Sequence, residues 1–369
     1  RVEVIAGPPP PALNSNIILT MLNTLDLYNP EDLFRTPRLK ELNDPVNLLE
    51  WLDVSAMGYP EPLTFGMRVI RHLKETKKTF DIIHDNQSLS YGILALSHRM
   101  PVTATIHHPI TVDRRTEIKT SRSFIKKLKI LRWFSFINMQ KKVARKLPQI
   151  ITVSETSKKD IAKEFKIPES RFKTIPIGID TDLFYPVDSI DRVPGRIITT
   201  NSADMPLKGL YYLLHAVKAV LNIRPLSLTI VGSPKKKGKV EKLIKQLDLA
   251  SYVNFTGRID NDRFVREYAK AELAIVPSLY EGFGLPVGEA MACRVPVIST
   301  TGGALPEVAG DAAKLVPPGN VQALKEAILE LLEDSKQRES LAEQGYQRVL
   351  SEFTWEKTAI RTAKAYQIG

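Results

Sequence analysis

Short apolar runs alternate with amphipathic helical periods along most of this chain, an alternation that predicts a parallel α/β architecture. A strand is expected at residues 2–6 and a weaker one at 17–22, with residues 7–60 otherwise irregular and rich in Pro and Asn. Helical spacing then appears over 62–77 through Leu63, Met67, Ile70 and Leu73. A strand at 80–85, a helix near 88–97 and a strand at 102–108 follow. QIITV at 149–153 predicts another strand, and Ser154 has the chemistry of an N-cap for the helix after it. Beyond Gly195 the rhythm resumes with RIITT, a helix over 209–221, LSLTIVG, a helix near 240–247, YVNFTG, a helix over 262–269, and LAIV at 273–276. Ligands of such sheets gather beyond the C-terminal ends of the strands.

The stretch with the most chemistry is PSLYEGFGLPVGEAMACRVPVISTTGGALPE, from Pro277 to Glu307. It reads as strand, glycine loop, then a helix near 286–293, with Pro286 in the first turn where a missing N–H costs nothing. Such a junction aims free N–H groups and the positive end of a helix dipole at whatever stands before it, which favours a phosphate. Glu281 and Glu289 frame the loop, and carboxylates accept from paired sugar hydroxyls. A glycine-rich turn with one surface Glu and one helix-start Glu reads equally well from these residues alone.

The run Glu281-Gly282-Phe283-Gly284-Leu285-Pro286-Val287-Gly288-Glu289 resembles the donor-site signature of the family 4 retaining glycosyltransferases. That resemblance implies the GT-B fold: two Rossmann-like, doubly wound parallel-sheet domains facing a central cleft. Residues 1–188 would form the acceptor-side domain, 189–350 the donor-binding domain, and 351–369 a helix returning to the first. Relatives open with an earlier strand, a glycine-rich loop and a helix, which this chain is expected to lack. By the same resemblance Glu281 and the backbone of Gly282, Phe283, Gly284 and Leu285 hold the transferred sugar and diphosphate, while Glu289 takes the ribose hydroxyls. His107, rather than its neighbour His108 or the strand-end His84, would stand beside the reacting sugar. Lys208, before Gly209 at a helix start, can place an ammonium on a diphosphate, and Arg258 would border the base. The sequence departs from the family at two further points. Ser202, Ala203 and Asp204 stand where relatives carry an Arg, and Arg294 replaces a residue that is usually Gly.

The expected reaction is retaining, metal-independent transfer of a sugar from a UDP- or GDP-sugar to a hydroxyl acceptor, a lipid or a small molecule. No cofactor is expected beyond the nucleotide sugar as co-substrate. A GT-B epimerase or phosphorylase, or a non-catalytic nucleotide-sugar-binding protein at a membrane surface, stays open as an alternative. A dehydrogenase is disfavoured because no G-x-G-x-x-G follows a strand. Asp180-Thr181-Asp182 and Asp260-Asn261-Asp262 invite a metal, but the first lies in what resembles the family's interdomain linker. No His/Cys cluster has metal-ligand spacing.

With 369 residues, 43% hydrophobic and 25% charged, the chain suits two globular domains. Its one cysteine, Cys293, excludes an internal disulfide and is compatible with the cytoplasm. No apolar run is long enough to span a bilayer and no signal peptide is recognisable. The net charge of +11 is local: ten Lys or Arg and no acid lie between Lys119 and Lys146, leaving the remainder nearly neutral. In that segment Phe124, Leu128, Leu131, Phe134 and Ile137 recur at helical spacing among the cations. It reads either as a basic amphipathic helix on the anionic inner face of a membrane or as a domain helix with solvated cations. Nucleic acid is not expected as a partner, since no RNA- or DNA-binding module is present.

Overall fold

The computed structural model describes residues 1–121, 123–200, 205–235 and 238–367. Ser202, Ala203 and Asp204 therefore lie outside the described residues. The chain divides into two units, one of Arg1–Ile151, Lys159–Lys173 and Tyr366–Gly369, the other of Thr152–Lys158 and Thr174–Ala365.

Unit 1 opens with a parallel pair, β1 (Glu3–Ala6) and β2 (Ile18–Met21). Next come α1 (Pro45–Ser55), α2 (Glu61–Thr76), β3 (Ile83–Asn86), α3 (Tyr91–Leu96), β4 (Val102–Ile106), α4 (Thr111–Thr120), α5 (Phe124–Trp133) and α6 (Ile137–Ala144). β5 (Ile150–Thr152), α7 (Glu155–Phe165) and β6 (Phe172–Thr174) complete a four-stranded sheet in the order β3-β4-β5-β6. β4 is buried along its whole length, and Val69, Leu73, Ile93, Met139, Val143, Ile161 and Phe165 close over the sheet. Both faces of this strand are covered, so even the alternate residues Thr103 and Thr105 are buried.

Three expectations for this unit need correction. Residues 7–60 are not irregular throughout, because α1 lies within them. Asp44 caps it by accepting from Val46 N at 2.8 Å, and Pro45 takes the first turn. Its inward face carries Glu50, only 2% exposed and paired with Arg68 at 2.5 Å, so the apolar period that would have announced it is broken. Second, β3 begins three residues later than expected, and β4 ends at Ile106, leaving His107 and His108 in the following loop. Third, the basic segment is not one helix. A single turn of 3-10 helix at Phe134–Phe136 separates α5 from α6 and rotates the stripe out of phase. Phe134 and Ile137 are buried beside Ile130, whereas Phe124, Leu128 and Leu131 are 74%, 51% and 47% exposed.

Unit 2 runs β7 (Arg196–Thr200), α8 (Leu210–Leu221), β8 (Ser227–Val231), α9 (Lys239–Gln246), β9 (Val253–Phe255), α10 (Asn261–Ala269), β10 (Leu273–Val276) and α11 (Leu285–Ala292). It continues through β11 (Val297–Thr300), α12 (Leu305–Ala309), β12 (Lys314–Val316), α13 (Val321–Glu333), α14 (Ser335–Glu352) and α15 (Trp355–Tyr366). The six strands are parallel, in the order β12-β11-β10-β7-β8-β9. β10 shows why LAIV is uniformly apolar. Ala274 and Val276 pack with Val287 and Met291 on one face, while Leu273 and Ile275 pack with Leu213, Val217 and Ile328 on the other. The strand order reverses between β7 and β10, the kind of switch point outside whose strand C-terminal ends open α/β sheets bind ligands.

Arg294 now has an explanation. It follows the C-cap of α11 with φ +55°, a left-handed position that suits the usual Gly. Its guanidinium lies 4.7 Å over the Tyr346 ring and 3.2 Å from Glu343, contacts that hold an arginine in a conformation unfavourable to it. Among the described residues no helix is long and apolar enough to cross a membrane.

Candidate active site

Three loops of unit 2 interlock at the β7/β10 switch point. After β7, Pro206–Lys208 form one 3-10 turn, and Gly209 enters α8 at φ +69°. A Cβ on Gly209 would stand 1.9 Å from the carbonyl oxygen of Pro277, so only glycine lets the β7 and β10 loops approach this closely. Leu279 N donates to Leu207 O at 2.7 Å across the same seam. The loop after β11 joins on the other side, where Glu281 and Gly303 form a parallel bridge and Ala304 N donates to Glu281 O at 2.9 Å.

Within this frame Lys208 Nζ lies 2.8 Å from Glu281 Oε1, and Ser278 Oγ donates to the same oxygen at 2.7 Å. The positive charge of Lys208 also reaches Glu289, opposing a shift in which burial pushes that carboxyl up to about 7. The structure therefore brings Lys208, Glu281 and Glu289 into one locality, although they are 73 and 8 residues apart in sequence. Gly282, Phe283, Gly284 and Leu285 form the turn between the two acids, with Gly284 as the N-cap of α11. Arg258 lies three residues past β9 and is exposed, beside the bridge in which Gly257 N donates to Gly232 O at 3.1 Å. Cys293, one turn beyond Glu289, has its thiol pushed up to about 12 by burial and by that acid, and is an inert packing group.

Behind the turn stand groups the sequence reading did not assign to the site. Ser154 Oγ and Ser157 Oγ both donate to Gly282 O, at 2.7 and 2.8 Å. Ser154 also accepts from Ser157 N at 3.0 Å, which is the N-cap expected of it. Glu307 accepts from Glu155 N and Thr156 N, both at 2.7 Å, at the start of α7. Only the capping role was legible, because nothing in a sequence relates Ser154 to a carbonyl 128 residues away.

His107 belongs to unit 1. Its backbone N donates to Gln87 Oε1, and its ring Nε2 lies 2.8 Å from Asn86 Oδ1. Burial, with a smaller effect of His108, holds the imidazole below its ordinary pKa. His108 instead pairs with Asp113 at 2.8 Å. Both ring nitrogens of His84 are engaged, with Tyr366 Oη and Thr105 Oγ1. The two Asp-x-Asp segments serve local turns. Asp180 Oδ1 accepts from Asp182 N and Leu183 N, and Asp260 Oδ1 caps α10 through Arg263 N.

Residues 194–348 match the family described as Glycosyl transferases group 1, and residues 29–183 match Glycosyltransferase Family 4. The chain is 39% identical to the MMP alpha-(1->4)-mannosyltransferase of Mycolicibacterium hassiacum, over 99% of this chain and 90% of the relative. It is 33% identical to a GDP-mannose-dependent monoacylated alpha-(1-6)-phosphatidylinositol monomannoside mannosyltransferase of Corynebacterium glutamicum, over 50% of this chain and 53% of that one. Among solved structures, the sucrose-phosphate synthase of Thermosynechococcus elongatus superposes with a TM-score of 0.74 at 22% identity, covering 99% of this chain and 88% of its own, and so shares the fold. With a near-full-length relative at this identity and both family matches, the chain is a glycosyltransferase of family 4, built on the GT-B fold.

Proposed function

We propose that the protein transfers an α-mannosyl group from GDP-mannose to a hydroxyl acceptor, with retention at the anomeric carbon and without a metal. The observation that carries this reading is the Lys208–Glu281 pair with Glu289 beside it at the switch point of unit 2. The mannosyl donor is supported by the names of the two mannosyltransferase relatives, and the guanine base by the second of them.

In the reaction the bond between the anomeric carbon and the β-phosphate oxygen breaks, a bond to the acceptor oxygen forms on the same face, and the acceptor proton passes to the departing diphosphate. Negative charge grows on that diphosphate, so stabilisation is electrostatic and worth most where donors are fixed beforehand. Lys208 and the N–H groups at the start of α11 supply it. Bound diphosphate draws Lys208 from Glu281, freeing the carboxylate to accept from the sugar hydroxyls. Glu289 takes the ribose and Arg258 borders the base; the role of His107 beside the sugar stays what the family resemblance implies. Metal independence is supported by the local use of Asp180 and Asp260, each of which turns one carboxylate oxygen, Oδ1, to nearby backbone N–H groups.

The exposed Phe124, Ile125, Leu128 and Leu131 alternate on α5 with Lys126, Lys127 and Lys129. That surface supports a peripheral site on an anionic inner membrane face and a lipid-borne acceptor.

The test is a thermal-shift and hydrolysis screen over UDP- and GDP-sugars, with and without EDTA. GDP-mannose should stabilise the protein most and be hydrolysed slowly without an acceptor, equally in chelator. A preference for a UDP-sugar would overturn the donor assignment. Activity lost in EDTA and restored by magnesium would overturn the metal-free mechanism.

A further inference from the structure

We infer that Ser154 and Ser157 are positioning residues of the donor site, fixing the peptide plane between Gly282 and Phe283. The inference rests on the donor reading above and adds to it two residues outside the Glu281–Glu289 signature. A carbonyl oxygen has two acceptor sites, and here both are filled by hydroxyls from one helix start, at 2.7 and 2.8 Å. Ser154 is 2% exposed and Ser157 fully buried, so water does not compete for their hydroxyls. The peptide is planar and trans, so pinning Gly282 O toward the serines turns Phe283 N–H the opposite way.

The preceding plane is tied as well, since Glu281 O accepts from Ala304 N. Two successive N–H groups, of Gly282 and Phe283, are thus held away from their tethered carbonyls. Among the described residues neither N–H has an acceptor. Glycine at 282 would otherwise leave this plane free to flip, because no Cβ restricts it. Two fixed adjacent N–H groups suit a phosphate oxygen, and the distal phosphate of a nucleoside diphosphate is the group that carries leaving-group charge. The serines touch no ligand. They act by keeping the turn in its anion-binding form before the donor arrives.

The experiment compares Ser157→Ala, Ser157→Val and Ser157→Thr in the full chain. Thr and Val have the same shape and differ by one hydroxyl, so packing strain cancels between them. Calorimetry measures GDP and GMP affinity, and donor kinetics give kcat/KM. Loss of one hydroxyl should weaken GDP binding and lower kcat/KM about three- to tenfold in the Ala and Val variants, the range of one hydrogen bond. GMP affinity should stay unchanged, since GMP lacks the distal phosphate, and Thr should recover most of the loss relative to Val. The inference is overturned if GDP and GMP affinity fall together, or if Ala and Val bind GDP and turn over like the wild type. A wild-type chain that binds no nucleoside diphosphate would overturn the donor reading, and this inference with it.

Discussion

Glu289 should make donor binding depend on pH near neutrality. Burial lifts its carboxyl from 4.5 to about 7, so in the free enzyme about half of these groups are neutral at pH 7. Only the carboxylate accepts from both ribose hydroxyls at once, because the protonated form spends one oxygen as a donor. If the donor binds the ionised form, its dissociation constant rises about tenfold for each pH unit below the folded pKa. Binding at pH 5 should thus be roughly a hundredfold weaker than at pH 8. The assay is calorimetry with GDP-mannose, whose diphosphate carries no proton that titrates over this range. Glu289→Gln should bind weakly at every pH and approach the wild type at pH 5. Stability has the opposite sign. A folded pKa above the unfolded one means that the neutral carboxyl stabilises the fold below about 4.5, and that this is lost as pH rises through about 7. Glu289→Gln should therefore raise Tm at pH 8 by relieving up to roughly 3 kcal/mol, a figure that solvent screening reduces, and leave Tm unchanged at pH 4. A wild-type affinity that is flat from pH 5 to 8 would refute the reasoning, as would a Gln variant that retains the pH dependence.

Three further outcomes follow from the same geometry. Lys208→Ala and Glu281→Ala should each lower turnover by about two orders of magnitude or more with unchanged circular dichroism, and near-normal rates in both purified variants would contradict the assigned roles. Gly209→Ala forces a Cβ onto Pro277 O at positive φ, so Tm should drop by about 5 °C or more with loss of nucleotide binding, whereas an unchanged Tm would mean the two loops separate freely. For the surface of α5, Lys126→Glu with Lys127→Glu should abolish sedimentation with phosphatidylserine vesicles while leaving hydrolysis of the donor intact; equal partitioning onto neutral and anionic vesicles by the wild type would remove the membrane proposal.

Much of the fold was legible because its signals are local. LAIV is apolar throughout since both faces of β10 are covered, Pro286 sits in the first turn of α11 as expected, and α10 begins one residue before the expected 262. What failed to show was whatever a distant partner supplies. Helix α1 puts Glu50 at a core position, which reads as polar until Arg68 neutralises it. The basic segment kept its helical composition but lost its stripe, because one 3-10 turn shifts the phase and sends Phe124 outward and Phe134 inward.

By itself the sequence determined the α/β alternation, the strand–turn–helix junction at 273–292 and the residue types able to grip a sugar nucleotide. These follow from backbone periodicity and turn chemistry, which act over a few residues. Only the tertiary structure decided that Lys208 pairs with Glu281, that its charge reaches Glu289, and that Ser154 and Ser157 hold Gly282. The lysine's relations depend on the strand order, which sets β7 beside β10, and on the absence of a Cβ at Gly209, which lets their loops touch.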